Sequence, residues 1–273
     1  MSGHRRLLLA LALCLLAREP LAAPVVLRAA VVPIVGQANF LQTVLAPFLA
    51  EKGVQLAVTA THGREVVRAA RAQEADLIII HARVRALAKL EADHTLAPST
   101  PVFANPIALL GPADDPAQLA QTPSAAAAMA RLKASAHCLL ENHLEGLLDV
   151  QRTLWGDEGG CRRHDPQAVG LGAVLLAEQR VDYTWWGLHP FVNTQRGMTI
   201  MVWPEPALLR TLNAAPVEGS RHTALAAEAI AWLASPAGQR AIAAFRLPGQ
   251  PRIQAWWPPV PNSSTDKGDI DGE

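Results

Sequence analysis

Hydrophobic positions in the first third of the chain alternate between strand-like runs and helical spacing. Residues 25–32 and 54–59 are rich in β-branched side chains and predict two strands. Between them, apolar residues recur at helical spacing, which predicts an amphipathic helix that ends at a lysine and a glycine. A helix over residues 66–71 and a buried strand over 75–81 follow. This β-α-β-α-β order predicts a parallel sheet with right-handed crossover connections.

The same alternation continues to residue 245. The predicted strands are residues 107–110, 137–140, 181–185 and 198–203, and the predicted helices are residues 125–133, 147–154, 169–178, 223–234 and 236–245. Residues 159–166 are polar and contain two glycines, so we expect a surface loop there. Residues 258–273 are mostly Pro, Ser, Asp and Gly, which predicts a disordered tail.

Residues 1–23 have the pattern of a secretory signal peptide: a basic start, an apolar run and a small-residue exit near Ala23. We therefore expect a periplasmic protein. Removing this segment takes away three arginines and one glutamate, so the formal net charge changes from zero to about −2. That balance argues against nucleic acid and anionic membranes as main partners.

Two cysteines remain after the signal segment, Cys138 and Cys161, and they flank a predicted helix. Two alternatives are open. In an oxidising compartment the pair forms a disulfide that closes a loop. Otherwise Cys138 is a free, buried thiol.

Four stretches of the chain, in order, resemble type II periplasmic solute-binding proteins. They are Leu-Ala-Pro-Phe at 45–48 with Lys-Gly-Val at 52–54, Ala-Asp-Leu-Ile-Ile-Ile-His-Ala at 75–82, Gly-Pro at 111–112 with Asp-Asp-Pro at 114–116, and Trp-Leu-Ala-Ser-Pro-Ala-Gly-Gln at 232–239. The similarity spans residues 25–257. Within this class, the ordered set is most similar to the tungstate-binding proteins of ABC importers.

The resemblance implies an α/β protein with two lobes, whose parallel-rich sheets are flanked by helices and joined by a two-strand hinge. It places the crossings at residues 102–110 and 198–203. Lobe 1 would comprise residues 24–104 and 205–257, and lobe 2 residues 105–204. A cleft between lobes is also where small-molecule sites are favoured. We expect a monomer that delivers a small solute to an ABC permease or another membrane partner.

Two loops depart from the tungstate-type pattern. The first, residues 31–37, has no hydroxyl group. In the second, residues 140–146, Glu141 stands where the family has an arginine and Glu145 where it has a serine. At ~4 Å a carboxylate repels an anion by about 1 kcal/mol in water and several-fold more in a dry cleft. We therefore expect an altered cleft that does not hold an oxyanion.

A divalent transition metal is the solute that these loops favour instead. Glu141, His143 and Glu145 alternate along an extended segment, so all three face one side. His62 and His189 each follow a predicted strand, one in each lobe, at the carboxyl edge. Carboxylate and imidazole suit such a metal. The predicted metal ligands are His62, Glu141, His143 and His189.

A cationic or neutral organic ligand is a further alternative, because Trp186 would present an aromatic face to the cleft. The full set of predicted ligand-binding residues is Gln37, Asn39, His62, Arg64, Glu141, Asn142, His143, Glu145, Trp186 and His189. A purely structural role for these residues stays open as well. Each histidine can be a hydrogen-bonded packing residue, and each glutamate a solvated one.

Enzymatic activity is not expected. The sequence has no Gly-x-Ser-x-Gly elbow, no phosphate-binding loop and no His-Glu-x-x-His motif. Apart from a divalent metal as ligand, no cofactor is expected. The remaining alternative is an accessory or sensor protein that keeps the fold and has lost its small ligand.

Overall fold

The computed structural model describes residues 23–82, 84–144, 147–156, 159–194 and 196–260. Residues 1–22 of the predicted signal peptide, residues 261–273 of the predicted tail, and Glu145 lie outside these ranges. No helix in the described part of the chain is long and apolar enough to span a membrane.

The described strands are β1 Val25–Val31, β2 Val54–Ala60, β3 Leu77–His81, β4 Thr100–Gly111, β5 Cys138–Leu140, β6 Cys161–Arg163, β7 Thr184–Gly187, β8 Thr199–Met201, β9 Leu209–Pro216, β10 Arg246–Leu247 and β11 Gln250–Gln254. The described helices are α1 Pro33–Gly36, α2 Phe40–Val44, α3 Ala46–Ala50, α4 Gly63–Arg71, α5 Arg85–Ala92, α6 Ala125–Lys133, α7 Leu148–Trp155, α8 Leu171–Arg180, α9 Leu188–Val192, α10 Thr223–Ala234 and α11 Pro236–Ala244.

The first lobe is built on the strand order β2-β1-β3-β9-β4. β1 pairs in parallel with both β2 and β3, which confirms the predicted β-α-β-α-β unit. β9 runs antiparallel between β3 and β4. The aromatic core lies under this sheet, where Phe40 packs edge-on against Phe103 and stacks on Trp256 at 4.5 Å.

The second lobe uses the far end of β4, where residues 107–110 pair with β7 and residues 109–111 with β8. β5 lies beside the start of β7, because Tyr183 N–H donates to the Cys138 carbonyl and Leu140 N–H donates to the Tyr183 carbonyl. β6 pairs in parallel with β5 and forms the outer edge. β5, β6 and β7 therefore run in one direction, and their carboxyl ends meet at one edge of the lobe.

Two chain segments link the lobes, as a two-strand hinge requires. β4 serves both sheets and covers the first predicted crossing. β8, inside the second predicted crossing, pairs with β4 in the second lobe. The chain then enters the first lobe's sheet as β9. The division of the chain into lobes at residues 104 and 204 stays a prediction.

Some local predictions need correction. The predicted loop over residues 159–166 contains β6, an edge strand whose side chains are largely exposed and therefore polar. The helix predicted between the first two strands is two short helices, α2 and α3, because Pro47 has no N–H to continue the first. Ser124 caps α6, since its Oγ accepts a hydrogen bond from Ala127 N–H at 3.1 Å.

Candidate functional site

The linking strands bring three polar residues onto one face of the sheet. Asn105 on β4 lies directly opposite Arg210 on β9. His81 at the end of β3 lies opposite Leu212 on the same strand β9. Arg210 and Leu212 point to the same face because side chains alternate along a strand, and opposed residues share a face. Asn105, Arg210 and His81 therefore line one face at the hinge.

Arg210 is a largely desolvated cation with no carboxylate partner among the described residues. Its Nε is buried and makes no hydrogen bond. Its Nη2 lies 3.8 Å from the position that a Cβ at Gly187 would take, so the guanidinium reaches the end of β7 in the second lobe. Burial lowers the pKa of Arg210, but an arginine in a protein keeps its charge. A partly buried cation without a counter-charge is costly, which makes this position suited to an anion.

Arg210 lowers the pKa of two histidines, the partly buried His81 and the fully buried His189. Burial first, and Arg210 second, lower the pKa of His81 to about 3. Burial lowers the pKa of His189 to about 4; the Ala255 and Ile34 carbonyls oppose this shift and Arg210 adds to it. Both imidazoles are therefore neutral at neutral pH. His189 must donate from Nε2 to the Ala255 carbonyl at 3.0 Å, since a carbonyl only accepts.

Unpartnered polar atoms accumulate at the hinge and at the carboxyl edge of the first lobe's sheet. Six of the twelve buried side-chain atoms without a hydrogen-bond partner in the described residues lie here: Gln37 Oε1, His81 Nδ1, Asn105 Oδ1, Asn105 Nδ2, His189 Nδ1 and Arg210 Nε. Buried polar atoms in proteins nearly always have a partner, so each one here needs an explanation. Donors and acceptors placed around one cation are what a small polar anion would satisfy.

Two surface depressions lie elsewhere. One of about 170 Å³ is lined by residues of β1 and α4 and by Glu74 in the first lobe, among them Arg28 and Glu65. The other, of about 230 Å³, lies between Trp203 and Trp257. Neither is lined by Arg210 or Asn105, so neither belongs to the hinge site.

A second cluster lies at the carboxyl ends of β5 and β6. Oxygen and nitrogen atoms of Glu141, His143 and His164 all lie within 4.8 Å of one another. His164 Nδ1 is 3.1 Å from Glu141 Oε2, and the two imidazole rings are 4.2 Å apart, edge to face. Arg162 Nε lies 3.2 Å from Glu141 Oε1. The carboxylate of Glu141 is therefore paired within its own lobe.

Asn142, between two members of this cluster, points the other way. Its Oδ1 accepts from Gly170 N–H at 2.8 Å and from Leu144 N–H at 3.1 Å. Its Nδ2 donates to the Trp185 carbonyl at 2.9 Å and to the Gly170 carbonyl at 3.2 Å. Asn142 is fully buried, and all four of its amide hydrogen-bonding positions are used by the protein. The structure thus gives Asn142 a packing role instead of the predicted contact with a ligand.

The predicted metal set is not assembled. Among the described residues, the group that can reach one ion is Glu141, His143 and His164, without His62 or His189. His189 is buried, with Nε2 bonded to Ala255 and its ring edge-on to Trp256. His62 is exposed at the residue that precedes α4 in the first lobe.

The other predicted ligand residues are scattered. Gln37 is half-buried, with an unpartnered Oε1, and its contact with a ligand stays a prediction. Asn39 and Arg64 are exposed. Trp186 is 9% exposed on β7, and its contact with a ligand stays a prediction. Glu145 lies outside the described residues.

Sequence reasoning missed Arg210 and His164. Arg210 lies in Leu-Arg-Thr-Leu-Asn-Ala-Ala-Pro, residues 209–216, whose low strand propensity predicts no strand there. The role of His164 could have been inferred from the positions of the two cysteines. Glu141 is three residues after Cys138, and His164 is three residues after Cys161, so a disulfide between parallel strands places the two side by side.

That disulfide is present, and it joins the first residues of β5 and β6. Of the two alternatives left open by the sequence, the structure therefore has the bridge and not a free Cys138.

The chain has the fold of type II periplasmic solute-binding proteins. It is similar to the tungstate-binding protein of Desulfovibrio alaskensis at 22% identity and a TM-score of 0.66, over 88% of this chain and 100% of that one. It is also similar to the structure of the tungstate ABC transporter from Geobacter sulfurreducens, at 21% identity and a TM-score of 0.58, over 81% and 98%. At such identities the similarity shows the fold alone. No protein-family model matches the chain, and no curated protein matches it in sequence.

Proposed function

We propose that this chain is an exported solute-binding protein that delivers a small anion to an ABC importer. The choice of an anion as the solute rests on Arg210. This residue is a desolvated cation at the hinge and has no carboxylate partner among the described residues. The unpartnered amide of Asn105, directly opposite, supplies a donor and an acceptor beside it. A solute held there touches both linking strands. Lobe closure on binding follows from that position.

The sequence argued against an oxyanion because Glu141 would repel it. In the structure the carboxylate of Glu141 is engaged by Arg162 and His164. Its charge is thus largely balanced in place, and the repulsion loses its source. The two similar structures come from tungstate systems, which agrees with an anion as the solute here.

The divalent metal and the cationic small molecule expected from the sequence are less well supported as transported solutes. A cation entering the hinge site would meet the unpaired charge of Arg210. At ~4 Å that repulsion amounts to about 1 kcal/mol in water and several-fold more in a dry cleft. The cleft proposed here differs from the tungstate-type pattern in its donors, with an arginine on a linking strand in place of hydroxyl-rich loops, and it does hold an anion, unlike the altered cleft expected from Glu141 and Glu145.

Export to the periplasm has two supports. One is the signal-peptide pattern of residues 1–23. The other is the disulfide between Cys138 and Cys161, because disulfides persist in oxidising compartments and are rare in the cytosol. The proposal includes a monomeric binding protein with no enzymatic activity and an ABC permease as its membrane partner.

The test is a thermal-shift screen of the purified mature protein against tungstate, molybdate, sulfate and phosphate, with organic cations in parallel. A solute present at a hundredfold excess over its Kd stabilises the folded protein by about 2.7 kcal/mol. We expect a shift with one of the anions, and we expect Arg210→Gln to remove it. Arg240→Gln is the matched control, since Arg240 is exposed on α11.

Three results would count against the proposal. A shift that survives in Arg210→Gln would move the site elsewhere. A shift with an organic cation alone would restore the cationic solute. No shift with any solute would favour the ligand-free accessory or sensor protein.

A further inference from the structure

We propose that the carboxyl ends of β5 and β6 form a divalent transition-metal site, with Glu141, His143 and His164 as the protein ligands. This site is separate from the hinge and does not depend on the anion as solute. The strands of the second lobe follow the order β4, β7, β5, β6. With strands ~4.8 Å apart, β5 and β6 lie roughly 10–14 Å from the hinge strand β4.

The three ligand atoms lie within reach of one ion. They are at most 4.8 Å apart, whereas ligands of a tetrahedral zinc ion with bonds of ~2.05 Å lie roughly 3.3 Å apart. The gap closes by side-chain rotation. His164 is free to make that movement, because 67% of its side chain is exposed. Its present hydrogen bond to Glu141 would be exchanged for two bonds to the metal.

His143 provides an independent indication. Its Nε2 is buried and has no hydrogen-bond partner, although its ring lies against that of His164. A buried imidazole nitrogen without a partner is costly, and a bound metal ion satisfies it. The cluster therefore contains a buried ligand atom that no other described residue uses.

The surroundings hold the carboxylate in place. Arg162, the middle residue of β6, forms an ion pair with Glu141 Oε1, which leaves Oε2 for the ion. Such outer contacts fix the orientation of metal ligands. The set of one carboxylate and two imidazoles selects Zn²⁺, Ni²⁺ or Cu²⁺ over Mg²⁺ and Ca²⁺, which prefer all-oxygen ligands. Three protein ligands leave at least one coordination position open.

Isothermal titration of Zn²⁺ into the metal-stripped, disulfide-bonded mature protein tests the site. We expect one ion per chain, and no binding of Mg²⁺ at the same concentration. His164→Ala should weaken zinc binding at least tenfold. Glu141→Gln should do the same while leaving the shape of the side chain.

His62→Ala is the matched control, because the structure places His62 outside the cluster. Wild-type affinity in this variant, with a loss in His164→Ala, supports the site on β5 and β6. If His164→Ala binds zinc as the wild type does, the site is wrong. A loss in His62→Ala of the same size would instead restore the set predicted from the sequence. Retained anion binding in His164→Ala separates failure of this site from failure of the hinge site.

Discussion

Asn105 and Arg210 face each other on the two antiparallel strands that meet at the hinge. Neither amide atom of Asn105 has a hydrogen-bond partner. The Nε of Arg210 has none either. Because β4 serves both lobes, a solute bound between these side chains contacts the part of the chain that must bend when the lobes move. Binding energy at this position can thus be coupled directly to lobe closure.

Replacing Arg210 by methionine should raise the stability of the solute-free protein. The variant removes a desolvated charge without a partner and keeps an unbranched apolar side chain, so we expect a gain of about 1 kcal/mol or more. Urea unfolding in buffer without oxyanions measures it. The exposed Arg240→Met should change stability by less than about 0.5 kcal/mol. A large loss in Arg210→Met would show that the guanidinium is already paired.

Stability should fall as the pH drops from about 6.5 towards 4. In the unfolded chain the histidines titrate near 6.5, whereas in the folded protein the pKa of His81 is about 3 and that of His189 about 4. Over this window the unfolded chain binds protons that the folded protein does not. The free energy of unfolding then decreases by up to about 1.4 kcal/mol per pH unit for each histidine.

His189→Gln isolates one of these two contributions. Its free energy of unfolding should depend less steeply on pH by about one proton between pH 6 and 4.5, as measured by urea unfolding across that range. Equal slopes in the variant and the wild type would mean that His189 is not buried in its neutral form.

The fold could largely be predicted from the sequence because the pattern of apolar residues predicts the strands of the first sheet. β3 carries a continuous, buried apolar run, and β1 is apolar except for Arg28 and is buried over its last three residues. β6 and β9 do not have such runs. β6 is a short edge strand, and β9 is held by pairing on both sides despite containing asparagine and proline. Tertiary pairing overrides strand propensity in such cases.

The residues of the candidate sites also fall into two groups: those that a local sequence pattern reveals and those that only tertiary contacts bring together. Glu141 and His143 could be recognised because they lie two residues apart in one loop. Their third partner, His164, comes from a strand whose existence depends on the pairing of Cys138 with Cys161. Arg210 carries no local motif. Its importance comes from the lack of a carboxylate near it in the described part of the chain, and sequence spacing does not show that.

Asn142 should be a stability residue and not a ligand. Asn142→Ala leaves two backbone N–H groups and two carbonyls without their side-chain partner, at Leu144, Gly170 and Trp185. We expect a loss of about 3 kcal/mol in the free energy of unfolding, with an unchanged anion-induced thermal shift. Wild-type stability combined with a lost shift would return Asn142 to the ligand set.

Removing the disulfide should weaken both the fold and the metal site. Cys138 and Cys161 are 23 residues apart, and a loop of that length gives a stabilisation of about 3 kcal/mol in the chain-entropy model. The bridge also fixes the register of β5 on β6, which sets Glu141 beside His164. In Cys138→Ala with Cys161→Ala we therefore expect zinc affinity to fall about tenfold, measured by titration under conditions where near-ultraviolet circular dichroism shows a folded protein.

Using the double variant avoids thiol reductants, which bind zinc themselves. Saturating Zn²⁺ should restore part of the lost stability, because an ion that binds only the folded form stabilises it by RT ln(1 + [Zn²⁺]/Kd). Unchanged zinc affinity in the variant would mean that strand pairing alone aligns Glu141 and His164. A stability loss that zinc does not reduce at all would contradict a site shared between β5 and β6, since an ion held by both strands must oppose their separation.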